Sequence, residues 1–302
     1  MARISIVIPS FNQGQYLEQA IRSVLAQEYA DTELIVIDGG STDDSTSILR
    51  KYGSSLAYWE STPDRGQAHA INKGFARCTG DIITFLSSDD YYLPGAFGDV
   101  ADTLRYNHAA GAIVGAFSFL DAGSVQPNEP IQPFLGVPSP ADLSLGPPGI
   151  YRLHQAATFY TRHALDSVGR SVREEMKYVM DRELLYRVCR SFPLVLSSRV
   201  YGVFRRHPDS KSTAEILPFA REFAGLYLLH LTGDARQDVL RKRMARHRLM
   251  RGYVKYAHAV QSFPRAAWAL MQAAMQEPQS LVQKRYWKYW IEIAAPGRAI
   301  VP

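Results

Sequence analysis

Several features that identify common protein classes are missing from this sequence of 302 residues. It has only two cysteines, Cys78 and Cys189, which lie far apart without metal-ligand spacing and favour a reducing compartment over a disulfide scaffold. No apolar run approaches the roughly 18 residues of a membrane span. The longest, 110–120, is rich in Val, Ile and Phe and predicts a buried strand. Because the first residues also lack a signal-peptide pattern, we expect a cytoplasmic protein.

The glycine series of a dinucleotide-binding fingerprint is absent as well. After the first predicted strand, residues 9–14 read PSFNQG, with a single glycine and no basic residue. A pyrophosphate cannot approach the backbone there as it does in nicotinamide enzymes, which makes that class unfavourable. A nucleotidyltransferase would need a glycine-rich, basic loop at the same place, so it remains the weaker alternative.

Apolar segments alternate with helical segments over the first 120 residues. This alternation predicts an α/β fold with a mainly parallel sheet and helices on both faces. The segment 14–27 has helical periodicity. Strands are predicted at 4–8, 33–37, 56–59 and 82–86.

The pattern changes after residue 120. The segment 121–149 is rich in Pro and Gly, and we interpret it as loops and short hairpins suited to cover an active site. Regular structure resumes at 151 and becomes helical after 213. Between these points helices are predicted at 161–168 and 180–190, and a strand at 194–201.

Two adjacent carboxylates, Asp89 and Asp90, follow the predicted strand 82–86. Ligands of an α/β sheet bind at the carboxyl ends of its strands. Neighbouring carboxylates repel each other unless a cation neutralises them, and Mg²⁺ or Mn²⁺ takes oxygen ligands and bridges to phosphates. The pair therefore predicts a metal site for a phosphorylated donor. The alternative is that both residues cap the helix that follows Pro94.

Two further polar clusters follow predicted strands. In 38–43 (DGGSTD), Asp38 can accept hydrogen bonds from a ribose or a base, while the alternative is a tight turn with Ser41 as a helix cap. In 60–74, turn and cap chemistry explains Pro63, Asp64, Gly66 and Gly74. It does not explain the choice of Arg65, Asn72 and Lys73.

Together, PSFN (9–12), DGGSTD (38–43), DRGQ with AINKG (64–74) and LSSDD (86–90) resemble family 2 glycosyltransferases. These motifs occur in the family's order and spacing, and a weaker match continues to about residue 211. The resemblance implies the GT-A fold, which is a Rossmann-like, mainly parallel sheet flanked by helices. It also implies three regions: a nucleotide-sugar half (1–120) and an acceptor half (121–212) of a catalytic domain 1–212, and a helical, basic C-terminal extension (213–302).

The resemblance assigns roles residue by residue. Asp89 would bind Mn²⁺ or Mg²⁺, with Asp90 as support. Ser87 stands where the family most often has Asp, which leaves one negative charge fewer at the site. The residues that would contact the donor nucleotide are Pro9, Phe11, Asn12, Asp38, Asp64, Arg65, Ser87 and Ser88.

In the acceptor half, His154 and Gln155 lie in a segment that resembles the family's strand beside the acceptor. Asp181 matches the catalytic base, and a base suits inverting transfer because the acceptor hydroxyl must lose its proton. The alternative is that Asp181 caps the helix that follows it.

The turn 205–211 resembles the one that closes the family core. There His207 could complete a Mn²⁺ shell, and Arg206 or Lys211 could neutralise the departing diphosphate. The alternative for this basic turn is solvated surface.

The C-terminal quarter is strongly basic. Residues 236–251 contain seven Lys and Arg and one acid, Asp238, and a final helix predicted at 281–295 places cations on one face and tryptophans on the other. Such helices suit an anionic membrane surface. The alternative is packing on the catalytic core. Nucleic acid is not expected, because no binding motif accompanies the charge.

The sequence thus predicts a metal-dependent, inverting glycosyltransferase with a nucleotide diphosphate sugar as donor, UDP-sugar favoured. The acceptor would be a carbohydrate or a lipid-linked carbohydrate. A role in bacterial cell-surface polysaccharide assembly is implied by resemblance only, whereas the basic C-terminal helices suit a peripheral position on the inner face of the membrane. A catalytically inactive GT-A binding module is a further alternative because of Ser87, although Asp89, Asp90 and Asp181 are all present.

Overall fold

The computed structural model describes residues 1–133, 153–230 and 233–259, together with Pro264, Ala267, Trp268, Met271 and Trp287. The chain forms two compact units, Met1–His207 and Pro208–Pro302. Most of the predicted cover segment 121–149 and all of the predicted helix 281–295 except Trp287 lie outside the described residues.

The first unit begins with alternating strands and helices, as predicted. β1 is buried along its whole length, which is expected of a strand covered by helices on both faces. Helix α1 buries Leu17, Ala20, Ile21 and Val24, a spacing that forms one face. The elements are β1 (Ile4–Ser10), α1 (Gly14–Leu25), β2 (Thr32–Asp38), α2 (Ser45–Tyr52), β3 (Tyr58–Ser61), α3 (Gln67–Phe75) and β4 (Ile82–Phe85).

The rest of this unit completes the sheet. Its elements are β5 (Tyr91–Tyr92), α4 (Ala96–Tyr106), β6 (Ala112–Asp121), β7 (Thr158–Thr161), α5 (Arg162–Ser167), α6 (Met180–Cys189) and β8 (Leu194–Arg206). The strand order is β3-β2-β1-β4-β7-β6-β8-β5. Strands β7 and β5 run against their neighbours and the others run together, so the described sheet is mixed but mainly parallel.

Two apolar clusters cover the two faces of this sheet. Side chains alternate between faces along a strand, so Ile4, Ile6 and Ile8 enter one cluster and Val7 enters the other. Strand β8 is longer than predicted and is irregularly paired with β6 between Val114 and Phe117. Its far end pairs with the short β5, which follows the Asp89–Asp90 turn directly. The end of β8 is therefore held beside this turn.

The second unit is helical over its described residues, with α7 (Lys211–Ala214), α8 (Ile216–Leu229) and α9 (Ala235–Ala259). Helices α8 and α9 pack against each other through buried side chains such as Phe223 and Met244. Two arginines of α9 serve this packing: Arg241 is buried and donates to the His230 carbonyl, and the Arg248 guanidinium lies 3.8 Å from the Phe223 ring centroid. No helix among the described residues is long and apolar enough to cross a membrane.

Candidate active site

The two carboxylates after β4 have different environments. Asp90 is 2% exposed, and its Oδ1 accepts the Arg205 backbone N–H at 3.0 Å. Burial and the neighbouring charge of Asp89 raise the pKa of Asp90 well above its ordinary value. Asp90 therefore joins the turn to β8 and would support a metal only indirectly. Neither residue caps α4, because that helix begins at Ala96 after Gly95, so the capping alternative is wrong.

Asp89 faces a histidine that the fold brings from the end of β8. Its Oδ2 lies 3.0 Å from His207 Nε2. The His207 ring is 5% exposed and its centroid lies 4.9 Å from that of Tyr16. The solvated-surface alternative is therefore wrong for His207. An oxygen and a nitrogen ligand stand side by side at the sheet edge where a donor was predicted.

Arg206 does not join this pair. Its guanidinium donates to both carboxylate oxygens of Asp121, at 2.6 and 2.8 Å, in an exposed position. Successive side chains of a strand point to opposite faces, so Arg206 lies across β8 from Arg205 and His207. Lys211 belongs to the second unit, where it begins α7. The predicted contact of Arg206 with a diphosphate at Asp89 is thus at odds with its position.

Arg205 is the basic residue at Asp89, and the sequence analysis missed it. Its Nε donates to the Asp89 carbonyl at 2.9 Å and its Nη2 to Gln19 Oε1 at 2.6 Å. The guanidinium lies over the rings of Tyr16 and Tyr91, at 4.7 and 5.7 Å from their centroids. Arg205 therefore connects the turn, α1 and β5. Strand alternation from His207 would have indicated Arg205 only if the predicted strand 194–201 had been extended to residue 206.

At the predicted nucleotide site, Asn12 and Asp38 are both hydrogen-bonded to Ser41, and these bonds shape the loop after β2. Asn12 adopts a left-handed conformation (φ 52°), and its N–H donates to Ser41 Oγ at 2.7 Å. Ser41 Oγ in turn donates to Asp38 Oδ1 at 2.5 Å, and Ser61 Oγ donates to Asp38 Oδ2 at 2.6 Å. Asp38 is fully buried, and its carboxylate holds this loop; its predicted contact with a nucleotide remains a prediction. Ser41 is a turn residue and not the cap of α2, which begins at Ser45.

Two residues near the end of β1, Pro9 and Phe11, differ in exposure. Pro9 is buried at the end of β1, whereas Phe11 is 60% exposed, which suits a ring that stacks on a base. Asp64 accepts the Gly66 N–H at 2.7 Å, and its carboxylate lies over Gly39. The predicted donor contacts from these residues remain predictions.

The unexplained residues of the 60–74 cluster have partners in the structure. Arg65 binds Glu174, with Nη2 2.7 Å from Oε2, so a contact to a base would require this pair to open. Asn72 exchanges two hydrogen bonds with the backbone of Val172, at 3.0 and 2.8 Å. Lys73 pairs with Glu60.

The serines before Asp89 also differ. Ser87 Oγ accepts from Gln67 Nε2 at 3.3 Å, and Ser88 is 5% exposed. Gln67 is a second site residue that the sequence analysis missed. Ser87 contributes no charge, so the predicted metal site would depend on Asp89 and its histidine neighbour.

The His154 side chain lies beside β6 and β8. Its ring packs against Phe117 and Phe204, at centroid distances of 5.0 and 4.4 Å, and Nδ1 accepts the Ala156 N–H. Burial and the positive charge of Arg182 lower the pKa of His154 to about 3, against the opposing effect of Asp89. The ring is therefore neutral, and both charged residues lie near enough to influence it.

Gln155 has a buried side chain with unmet hydrogen-bonding capacity. It is 8% exposed, and neither its Nε2 nor its Oε1 has a hydrogen-bond partner within the part of the chain that the structure describes. Such groups are rare in native proteins because each costs free energy. The amide is therefore available to a ligand.

Asp181 lies in the first turn of α6 and not at its cap. The helix begins at Met180 after Val179, so the capping alternative is wrong, although a carboxylate is still favoured at this end of a helix. Asp181 is half-buried, and its charge adds to burial in raising the pKa of Tyr160. Arg182 donates to the Leu153 carbonyl at 2.9 Å, which ties the helix start to the segment of His154.

The described residues contain no group of three His, Cys, Asp or Glu side chains that could hold a metal ion. Within this part of the chain, Asp89 and His207 stand as a pair of one carboxylate and one imidazole.

Comparison with known proteins identifies the family of this chain. The family described as "Glycosyl transferase family 2" matches residues 5–169, more than half of the chain. The chain belongs to this family. The predicted family is therefore confirmed, and its motifs lie at the sheet edge described above.

A relative within the wider group is the GalNAc(5)-diNAcBac-PP-undecaprenol beta-1,3-glucosyltransferase of Campylobacter jejuni. It is 32% identical over 113 residues, which cover 36% of this chain and 37% of that protein. Other curated relatives, from Nostoc and Mycobacterium tuberculosis, are matched over 35% and 34% of their lengths. The chain thus spans about a third of the length of these family members.

Two solved structures have the same fold. S. aureus TarS in complex with UDP-GlcNAc has a TM-score of 0.60 and 16% identity, covering 96% of this chain and 79% of that one. The mannosyltransferase PcManGT from Pyrobaculum calidifontis in complex with GDP-Man and Mn²⁺ has a TM-score of 0.60 and 16% identity, covering 97% and 84%. The predicted GT-A fold with a helical C-terminal region is confirmed.

Proposed function

We propose that this protein is a metal-dependent, inverting glycosyltransferase. It moves a sugar from a nucleotide diphosphate sugar, with UDP-sugar favoured, to a carbohydrate or lipid-linked carbohydrate. The observation that carries the proposal is the pair at the end of β4, where Asp89 Oδ2 lies 3.0 Å from His207 Nε2. The sugar nucleotides bound to TarS and PcManGT support the donor class, and the name of the Campylobacter relative supports a lipid-linked acceptor. Family membership favours this reaction over nucleotidyl transfer.

The donor set fits Mn²⁺ or Mg²⁺. A carboxylate oxygen suits either ion, and an imidazole nitrogen could complete the shell of Mn²⁺. Asp89 Oδ2 and His207 Nε2 lie 3.0 Å apart, which is close enough for both to hold one ion. Two protein ligands are enough, because such ions commonly share their shell between one or two protein groups and substrate phosphates. Asp89 and His207 would hold the ion. When bound, it would supply positive charge that neutralises the diphosphate leaving group.

The protein's own groups bind and orient the two substrates. The loop held by Asn12, Ser41 and Asp38, together with Phe11 and Asp64, receives the nucleoside. The Gln155 amide, which has no hydrogen-bond partner among the described residues, binds an acceptor hydroxyl, and this satisfies a buried group at the same time.

Asp181 acts as the base. It takes the proton of the acceptor hydroxyl while that oxygen bonds to the anomeric carbon and the bond from that carbon to the diphosphate oxygen breaks. Attack from the face opposite the diphosphate inverts the anomeric centre. Asp181→Asn should lower transfer by about 10²- to 10⁴-fold with donor affinity nearly unchanged. Weak donor binding in this variant would remove Asp181 from the base role.

We also propose that the second unit binds an anionic membrane surface. Residues 208–302 contain 15 Lys and Arg against seven Asp and Glu. Helix α9 has an exposed face whose residues span about 160° of the helix circumference. This face, formed by Arg236, Val239, Leu240, Lys242, Arg243 and Arg246, contains no acidic residue. Cations beside exposed apolar side chains are typical of interfacial helices.

The donor proposal is tested by calorimetric titration with UDP, GDP, dTDP and CDP, each with and without Mn²⁺. We expect metal-dependent binding of one diphosphate, which Asp89→Ala abolishes. Asp102→Ala is a matched control, because Asp102 is exposed on α4 and pairs only with Arg105 among the described residues. Binding of none of the four would favour the inactive binding module.

A further inference from the structure

A fully buried carboxylate lies two residues after Asp181 in α6. Glu183 has no exposed surface. Its Oε1 accepts from Arg173 Nε at 2.9 Å and its Oε2 from Arg187 Nε at 2.8 Å. A buried charge is tolerated only when it is paired and hydrogen-bonded, so both arginines are needed where they stand.

Arg187 extends the network to the loop that precedes the helix. It donates from Nη1 to the Val168 carbonyl at 2.6 Å and from Nη2 to the Ser171 carbonyl at 2.5 Å. The neighbouring Val172 is buried in the same apolar cluster as Leu184 of α6. Charge, hydrogen bonds and packing thus fix the loop to the first turns of α6.

The same loop is held from the nucleotide half. Asn72 of α3 donates to the Val172 carbonyl and accepts the Val172 N–H, as a neighbouring strand would. Two residues farther along the loop, Glu174 pairs with Arg65. The segment from Val172 to Glu174 therefore connects the donor-side helix to the helix that carries the proposed base.

We propose that Glu183 is a positioning residue for Asp181. Residues two apart in a helix are separated by about 200°, so burying Glu183 directs Asp181 to the opposite, less buried side of α6. Through Arg173, Arg187 and the loop, this orientation is set relative to the nucleotide half. The inference rests on the proposed role of Asp181 as base.

Glu183→Gln tests it, since the variant keeps the side chain's size and removes its charge. We expect kcat to fall about 10- to 100-fold, as misplacement of a catalytic group does, while donor KM and metal-dependent diphosphate affinity stay within about twofold. Glu33→Gln is the matched control. Glu33 also has both carboxylate oxygens in hydrogen bonds, to Ser5 and Thr79, at the other end of the sheet. It should change the melting temperature and leave kcat unchanged.

A second variant covers the case in which Glu183→Gln does not fold. Arg173 is 40% exposed, whereas Glu183 is fully buried. Arg173→Gln keeps an N–H donor for Glu183 Oε1, so we expect it to disturb the fold less than Glu183→Gln and to show the same pattern with a smaller loss. An unchanged kcat in a folded variant, or an equal loss of kcat and donor affinity, would overturn the positioning role. Asp181→Asn is measured alongside. If it stays active, the base assignment itself is wrong, whereas an inactive Asp181→Asn beside a normal Glu183→Gln rejects only the positioning role.

Discussion

His207 Nε2 lies 3.0 Å from Asp89 Oδ2, although 118 positions separate the two residues in the chain. The contact exists because β5 follows the Asp89–Asp90 turn directly and pairs with the end of β8. His207 is buried against Tyr16, which fixes its ring. The imidazole is therefore placed before any ligand arrives.

We predict that His207→Ala weakens metal-dependent binding of the preferred diphosphate by about 10- to 100-fold, the usual cost of losing a group that holds or orients a metal ligand. Calorimetry in the presence and absence of Mn²⁺ measures the effect. His108→Ala, which changes an exposed histidine, is the control. Equal loss of metal-free binding would mean that His207 only shapes the pocket.

The neighbours Arg205 and Arg206 should respond differently to the same substitution. We predict that Arg205→Gln lowers activity on the order of 10- to 100-fold, because it frees the Asp89 backbone and moves the carboxylate. Arg206→Gln breaks an exposed pair with Asp121, so its stability should change by about 0–1 kcal/mol with activity retained. Steady-state rates of the two folded variants test this difference. A larger loss for Arg206→Gln would restore its predicted role at the diphosphate.

This contrast shows where sequence reasoning stopped. The four motifs and the first strands are local patterns, so the sheet edge and Asp89 could be predicted from periodicity and spacing. The predicted strand ended at residue 201, whereas β8 continues to Arg206. Without that extension, alternation could not assign Arg205 to the site and Arg206 to the other face. The irregular pairing of β8 with β6 depends on tertiary packing and leaves no local signal.

The burial and the hydrogen-bond partners of polar side chains could not be predicted from the sequence either. Asp38 was predicted to touch the ligand because it ends a strand. Its burial depends on Ser61 from β3 and Ser41 from the following turn, which donate to its carboxylate. The pairing of Asn72 with Val172 joins residues 100 positions apart. Such contacts follow from the fold and cannot be read from spacing.

Gly202 in β8 packs against residues 154–157, and its substitution tests this packing. A Cβ on Gly202 would lie 2.3 Å from the Ala156 carbonyl oxygen, which is backbone and cannot swing away. We predict that Gly202→Ala destabilises the protein by about 1–3 kcal/mol and raises the acceptor KM by displacing 154–157.

The control for that variant is Gly98→Ala in α4, where an added Cβ meets nothing within 4 Å. Alanine is favoured in a helix, so this change should stabilise by about 0.5–1 kcal/mol. Denaturant unfolding of both variants gives the comparison. Equal stabilities would mean that β8 can move away from the 154–157 segment.

Replacing Gln155 with an apolar residue should preserve or increase stability and should weaken acceptor binding. We predict that Gln155→Leu keeps or raises the melting temperature, because a buried amide that has no partner in the described parts of the chain is replaced by an apolar group of similar size. The acceptor KM should rise by about five- to tenfold, the equivalent of one lost hydrogen bond of about 1 kcal/mol. Thermal unfolding and acceptor kinetics are both needed. A destabilised variant with an unchanged KM would show that the amide has a structural role.

The exposed cations of α9 should determine attachment to lipid. We predict that the combined change of Arg236, Lys242, Arg243 and Arg246 to Gln greatly reduces sedimentation with vesicles that contain phosphatidylglycerol, since each cation contributes about 1 kcal/mol near an anionic surface. The control removes four exposed arginines from the first unit, namely Arg22, Arg50, Arg105 and Arg190. If both variants lose binding equally, net charge alone explains it. If only the α9 variant does, the cations and the neighbouring Val239 and Leu240 form one membrane-binding face, and raising the salt concentration should weaken the attachment of the native chain.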